Sequence, residues 1–584
     1  MQDASASGTP AGDASEHLRY AVDEDTPTLL TLGLSAQVVT VVLTGIILIP
    51  IIVLTAADRK EFIEWAVFAT LLVSGLATML QARPIGPFGA GYPLYMGTSG
   101  AFIAVCTAAA IVGGLPLVAT LVASSALIQF LFAARLSLFR RLITPTVGGT
   151  VILLLAVTVF PIATDMLVRV PAHVDPDSVA GPTVAFATFG VIVLISLYSR
   201  GAAQLWAPLI GILLGTVIAG AAFGMLDWTP LRDAPWFGLP NATWPGLDLE
   251  FDGRYFGLLI PFAIVTIIGA IETYGDAIAI QRVTNRGAVP VDFRAVQRAV
   301  NADGVGNLVS GLAGTMPNTT YSTSISIADL TGVGARKVAF YGGILILITA
   351  FVPKIPALLR LVPDAVAGAY VMIFIVLLFR QGVRMVTTGG FGYEKGLIVC
   401  ISFWIGLGFQ SGVIFPDHLP DWSRGVLDNG MAAGGLVAIL LTSLIALKTR
   451  SKRAVLEPTM ASLATLGDLV STSAANAGWD ESATQRLHLA GEEAFLYLME
   501  RQEEQGAQSR VSVSVRPHEN ALQLEFLTGA GIDNLEERLS TIDPERTEIA
   551  DAGPRILGHL GQVRHEQFYD LEALTLTVES RPLT

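Results

Sequence analysis

The sequence predicts an all-α polytopic membrane protein of 14 transmembrane spans in two inverted halves of seven, followed by a small α+β domain. Three observations carry that reading. Of 584 residues, 52% are hydrophobic and only 15% charged, with a mean hydropathy of +0.59, which excludes a soluble enzyme. Apolar runs of about 20 residues, the length that crosses a hydrocarbon core, recur between residues 29 and 448. The intervening loops alternate in charge, and basic loops mark the cytoplasmic side.

Residues 1–28 form a polar, acidic tail without a basic start or an apolar stretch, so they are not expected to be a signal peptide. Spans are expected near 29–54, 61–82, 96–113, 115–134, 143–163, 183–199, 206–226, 255–280, 299–314, 322–333, 337–353, 363–379, 396–414 and 431–448. Arg135, Arg140 and Arg141 follow the fourth; Arg282, Arg286, Arg294 and Arg298 the eighth; Arg336 and Lys337 the tenth. Arg380 and Arg384 follow the twelfth, and Lys448, Arg450, Lys452 and Arg453 the last. The opposite loops carry Asp165, Asp175 and Asp177, then Asp227, Asp233, Asp248, Glu250 and Asp252, then Asp417, Asp421 and Asp428. Both termini are therefore expected inside the cell.

Two spans are broken. Span three follows a Gly- and Pro-rich stretch, residues 86–93, and opens with Met96, Gly97, Thr98, Ser99, Gly100 and Ala101. Span ten follows Pro317, Asn318, Thr319 and Thr320 and opens with Tyr321, Ser322, Thr323 and Ser324. Pro93 matches Pro317 and Ser99 matches Thr323, an offset of 224 residues in both cases (317 − 93 and 323 − 99). The small hydroxyl residues suit helix caps. Seven spans per half is an odd number, so the second copy is inverted, a plan in which half-helix N-termini meet near the midplane.

Span eight holds the acids. Glu272 and Asp276 lie four residues apart, on one helix face, within an otherwise apolar run from Ile260 to Ile280. An acid at membrane depth faces a polar cavity or an ion path; the other reading places both in solvated headgroup. Glu272 is expected to touch substrate, a coupling proton, or both, with Asp276 sharing the proton coupling. All seven histidines lie outside the spans, which leaves carboxylates to carry any proton. Asp303 and Asp329 are expected at span ends, paired with an arginine. Cys106 and Cys400 read as small buried hydrophobes rather than a disulfide or metal pair. No catalytic residue, cofactor, metal or nucleic-acid partner is expected.

These residues resemble a family. Glu272, Thr273, Tyr274, Gly275 and Asp276 are similar to the E-[ST]-x-G-D motif of nucleobase/ascorbate transporters, the uracil and xanthine permeases. Residues 317–321, 330–333 with Arg336, 301–307, 310–314 and 362–368 share that family's texture, and the likeness covers roughly 29–448. It implies a transporter domain over 29–453, with a core of spans one to four and eight to eleven and a gate of spans five to seven and twelve to fourteen. It further implies an elevator mechanism in a homodimer, in the lipid bilayer of a bacterial inner membrane. Substrate would meet Glu272, Thr323, Ser324, Ser99, Gly100, Ala101 and Tyr321, driven by a proton or sodium ion. Where the family's span ten has Gln-Asn or Glu-Asn, this chain has Thr323 and Ser324, and Gly33, Leu34, Ser35 and Ala36 replace a Gln-His pair in span one. A purine- or pyrimidine-like ring is the implied small-molecule substrate.

Residues 454–584 change character. Residues 482–498 have helical apolar spacing, and 510–515, 521–527 and 573–578 alternate as strands. This α+β segment resembles, weakly, the ATPase domain of histidine kinases and anti-sigma kinases. Glu493 is followed by Tyr497 where that family has a magnesium-holding Asn, and the loop with Gly529 and Gly531 lacks its Asp. A cytoplasmic regulatory module with a possible partner is therefore expected, not an ATPase. Two other readings stand beside nucleobase symport. One is a small-anion transporter of sulfate, bicarbonate or a dicarboxylate, suited by two half-helix N-termini. The other is a transporter-derived sensor signalling through 454–584.

Overall fold

The structure, a computed structural model, describes residues 18–134, 144–175, 178–240, 242–286, 290–388, 390–415, 418, 427, 429–448, 452–504, 509–518, 521–529, 535, 552–568 and 571–580. Arg135, Arg140, Arg141, Asp177, Asp417, Asp421, Asp428, Arg450 and Gly531 lie outside the described residues.

The membrane part is helical. α1 (Thr28–Ala56) is apolar all round and buries Ile46, Ile47, Ile52 and Val53 completely, as befits a helix enclosed by others. α2 (Ile63–Ala82) returns. α3 (Ile103–Ala134) holds expected spans three and four, divided at Gly114, whose φ of 66° is accessible to a residue without Cβ. Then come α4 (Pro145–Val168), α5 (Ala180–Tyr198), α6 (Ala202–Leu205), α7 (Ala207–Phe223) and α8 (Thr229–Asp233). α9 (Gly253–Thr284) opens on Asp252, whose carboxylate accepts from the N–H groups of Arg254 and Tyr255 at 3.0 and 3.1 Å. α10 (Phe293–Ala313), α11 (Thr323–Thr331), α12 (Arg336–Ala350), α13 (Lys354–Leu359), α14 (Asp364–Thr387), α15 (Tyr393–Gln410) and α16 (Gly430–Lys448) complete the bundle. Among the described residues, 7 helices are individually long and apolar enough to cross a membrane: α1, α2, α3, α4, α5, α9 and α14. Expected spans nine, ten, eleven and thirteen fall on α10, α11, α12 and α15, which are shorter or more polar.

The helices pack in two groups. α2 lies on α12, α3 on α9 and α10, and α1 on α2 and α12. In the other group α4 lies on α14 and α16, α5 on α7 and α14, and α15 on α16. Residues 18–27 run across the ends of α9, α11 and α12. Arg19 and Tyr20 donate to the Gly332 carbonyl, while Asp23 pairs with Arg336, Glu24 with Arg286 and Asp25 with Lys337. Cys106 is buried as expected, but Cys400 lies exposed on the outer surface of α15, so it is not a core residue.

Two short strands sit inside the first group. β1 (Met96–Thr98) pairs antiparallel with β2 (Asn318–Thr320), Gly97 opposite Thr319, and every strand residue is buried. Non-helical backbone survives at this depth only where protein satisfies its polar groups. Here side chains do so: Thr78 accepts from Met96 N–H, Asn307 from Asn318 N–H, and Thr98 donates to the Ile46 carbonyl. The Asn318 amide donates to Ser310 at 2.8 Å and accepts from Ser74 at 2.9 Å. β1 leads through a short turn into α3 and β2 into α11, so the two helices leave opposite ends of the antiparallel ribbon, Ser99 beside Pro317 and Tyr321 beside Tyr95.

The C-terminal part is a five-stranded antiparallel sheet in the order β3-β4-β5-β7-β6: β3 (Lys452–Leu456), β4 (Val511–His518), β5 (Ala521–Thr528), β6 (Gln562–Gln567) and β7 (Glu572–Glu579). It packs on α17 (Ser462–Asn476), α18 (Glu481–Glu504) and α19 (Ala552–Leu560), burying Val470, Leu487, Phe495, Leu498, Val513, Phe526 and Leu574. The sheet begins at Lys452, ahead of the expected boundary at 454, because the Lys452–Leu456 stretch follows the last apolar helix too closely for charge alone to separate them.

Replacing Asn318 by Ala strips Ser74 and Ser310 of their partner. Thermal unfolding of the purified protein should show a loss of about 1–3 kcal/mol for each buried group left unpaired; an unchanged midpoint would show that the two strands are held by other contacts.

Candidate functional site

Helix α9 crosses the two strands. Asp276, 7% exposed, accepts from the Thr320 hydroxyl and the Ser322 hydroxyl, each at 2.7 Å. The hydroxyl residues before the short helices thus do not cap them: neither Ser99 nor Ser322 bonds its own helix through its side chain. Ser322 serves the α9 carboxylate instead, a charge-assisted bond stronger than a cap. Glu272, one turn earlier on α9, is half-buried.

A second carboxylate corrects the expectation for Asp303. It is wholly buried on α10, makes no ion pair among the described residues, and its Oδ2 accepts from Gln129 at 2.8 Å and Thr273 at 3.1 Å. Thr273 Oγ1 lies 3.3 Å from Thr320 Oγ1, so the two acids join through two threonines. Asn307 donates to Gln129 at 2.9 Å and accepts from Asn318, carrying the network on to Ser310 and Ser74. Asp329, by contrast, is exposed near the end of α11, as expected for a span end.

Glu272 is different. Among the described residues its carboxylate makes no hydrogen bond or ion pair, although it lies in the electrostatic field of Asp276, Asp303 and Tyr321. The other expected site residues fall around the same crossing, with unequal freedom. Thr323 is half-buried at the first turn of α11. Ser324 donates its hydroxyl proton to the Tyr321 carbonyl at 2.6 Å, which leaves its oxygen as an acceptor. Tyr321 is a brace: its hydroxyl donates to the Thr98 carbonyl at 2.8 Å and its ring covers Gly97. Ser99 is 1% exposed, and its hydroxyl has no hydrogen-bond partner among the described residues. Ala101 is buried, and Gly100 is roofed by Phe374: a Cβ on Gly100 would lie 2.2 Å from that ring.

Phe374 and Tyr370, one helical turn apart on α14, bring the second helix group to the site; Tyr370 shares an electrostatic environment with Tyr321. Sequence reasoning missed both, since aromatics in an apolar span carry no signal. Gln129 and Asp303 were findable, as polar residues inside apolar or Gly-rich helical stretches. Chemically, three acids without a basic partner among the described residues can take up and release a positive charge, whether a proton or a small cation. The carboxylate of Glu272 can accept from ring N–H groups or, when protonated, donate. The aromatic roof suits a flat ring.

Known proteins share this arrangement of sequence. A family model described as Permease family, Xan_ur_permease, matches residues 29–414. The nucleobase transporter PlUacP of Paenibacillus larvae is 28% identical over 418 residues, 71% of this chain and 94% of that one. The xanthine permease XanP of Escherichia coli is 26% identical over 430 residues, 70% of this chain and 89% of that one. Among solved structures, the murine anion transporter Slc26a9 in its inward-facing state aligns with a TM-score of 0.50 at 13% identity, over 75% of this chain and 72% of that one, a likeness of fold alone.

The close approach of Phe374 to Gly100 can be tested by a double-mutant cycle. Gly100→Ala should destabilise the protein, and Phe374→Ala in the same chain should relieve the clash, leaving an interaction of about 0.5–3 kcal/mol between the positions in thermal unfolding. Additive effects would place the ring elsewhere.

Proposed function

The chain belongs to the xanthine and uracil permease family, a membrane transporter and not an enzyme, and from that premise we propose that it carries a purine- or pyrimidine-like base by proton-coupled symport. The observation that carries the reading is the Glu272 carboxylate, without a hydrogen-bond partner among the described residues, one turn from the Asp276 that binds Thr320 and Ser322 where β2 passes into α11. Glu272 binds the base ring and exchanges the coupling proton; Asp276 and Asp303 set the field in which it does so. Ser99, Gly100, Ala101 and Thr323 line the ring, Tyr321 braces the strands beneath it, and Ser324 supports Tyr321.

In this proposal the chain makes fourteen spans with both termini in the cytoplasm of a bacterial cell. The group containing α9 and α10 is the substrate-bearing core, and the group containing α4 and α14 is a gate through which two copies pair. Core and gate move past each other in this reading, with the Phe374 ring of α14 over Gly100 as the apolar contact at the site. A small anion suits the helix N-termini. Three acids within one electrostatic environment repel it, so the neutral ring is preferred.

Uptake into proteoliposomes under an inward proton gradient tests the reading. Wild-type protein should accumulate a base, and a protonophore should abolish the accumulation. Glu272→Gln should cut uptake about 10- to 100-fold, the worth of a hydrogen bond to a charged group, while the protein elutes and melts as wild type. Full uptake by that variant would overturn the assignment, and sulfate or bicarbonate flux insensitive to purines would favour the anion.

A further inference from the structure

The β6–β7 hairpin of the C-terminal domain is seated on the helix pair that carries the acids. Phe568, at its tip, is wholly buried, with its ring 5.6 Å from that of Phe293 in the first turn of α10. The Phe293 ring lies 6.3 Å from that of Tyr274, which is between Glu272 and Asp276 in sequence and on the opposite face of α9. Arg564 places its guanidinium 6.0 Å from the Phe293 ring, and Arg294 reaches the buried carboxylate of Glu572 at 3.7 Å. Phe568, Phe293, Val296, Val300, Ala277 and Ile280 form one apolar cluster. α9 and α10 are stapled at the same end: Gln281 accepts from Asp292 N–H at 2.7 Å and donates to the Asp292 carbonyl at 3.1 Å. The hairpin therefore grips a unit that includes Glu272, through a row of three rings.

The other end of the domain is tied elsewhere. α16, which packs on α4 and α15, ends at Lys448, and β3 begins at Lys452. Four Cα steps span at most about 15 Å, so the domain cannot stray far from α16. It is tethered to one helix group and docked on the other. Any displacement of one group against the other must break the dock or carry it along.

We infer that the β6–β7 hairpin is a latch: docked, it holds the α9–α10 pair in register with the α4–α16 group, and undocked, it frees the pair to move. This rests on the transport reading above, because only a protein that shifts one group against the other has a step for the latch to slow. Phe568→Ala removes the wedge, and Arg294→Ala weakens the dock from the membrane side without touching the C-terminal domain. Both changes are made in the full chain. Hydrogen exchange at residues 293–300 should rise in both variants. Uptake of base at saturation should rise about fivefold in Phe568→Ala and less in Arg294→Ala, at the low end of conformational coupling, with the half-saturating concentration unchanged. Unchanged exchange in both variants would overturn the dock. Raised exchange with equal or slower uptake would overturn the latch. If wild-type protein carries no base, the nucleobase reading fails, while the exchange measurement still decides whether the hairpin is docked.

Discussion

Two hydroxyl groups on one carboxylate hold the middle of this protein together. Thr320 and Ser322 lie at the end of β2 and the start of α11, and Asp276 lies in the C-terminal third of α9; their bonds fix where α11 begins. A helix that starts halfway through a membrane leaves its first N–H groups and the strand before it without helical partners. In hydrocarbon each such group costs several kcal/mol, so this backbone must be enclosed and answered by side chains. The rest of the first helix group supplies them: Thr78, Ser74, Asn307, Ser310 and Gln129 all point at the two strands or their supporting network.

That demand divides the acids. Asp276 and Asp303 are each bound by two side chains, and their places in the network are set by structure as much as by function. Glu272 lies one turn from Asp276 and takes no part in the network. An acid kept near a low-dielectric crossing without a built-in partner is the kind of group that a substrate or a proton can engage. The polar network makes that arrangement durable, since the strands cannot drift without leaving several buried groups unpaired.

The two helix groups meet the site in different ways. The first contributes polar atoms and backbone ends, locked by hydrogen bonds. The second contributes Phe374 and Tyr370, held by contact alone. Away from the site, Arg169 at the end of α4 donates to the Thr55 carbonyl of α1 at 3.3 Å, and the C-terminal domain, attached to one group and seated on the other, joins them again. The Glu572 carboxylate, wholly buried beside His565 and facing Arg294, makes the seat specific rather than merely greasy.

Composition and the recurrence of apolar runs were enough to locate the long apolar helices α1, α2, α3, α4, α5, α9 and α14, because a bilayer imposes one length and one chemistry on a helix that crosses it. The matched breaks at Pro93 and Pro317, and the acids Glu272 and Asp276, were legible for the same reason: departures from apolar monotony stand out. Helix α18 and strands β4, β5 and β7 followed from periodicity, while β3 and β6, short strands at the sheet's edges, did not. What only the tertiary structure decided is which polar residue answers which. Ser322 turned from cap to carboxylate partner, Asp303 moved from a span end to the core, Ser324 turned back on its own chain, and Phe374 came from a distant helix to roof Gly100. Hydrogen bonds are directional and short, so a sequence can announce that donors and acceptors lie at membrane depth, but their pairing waits on the geometry that brings them within 3 Å.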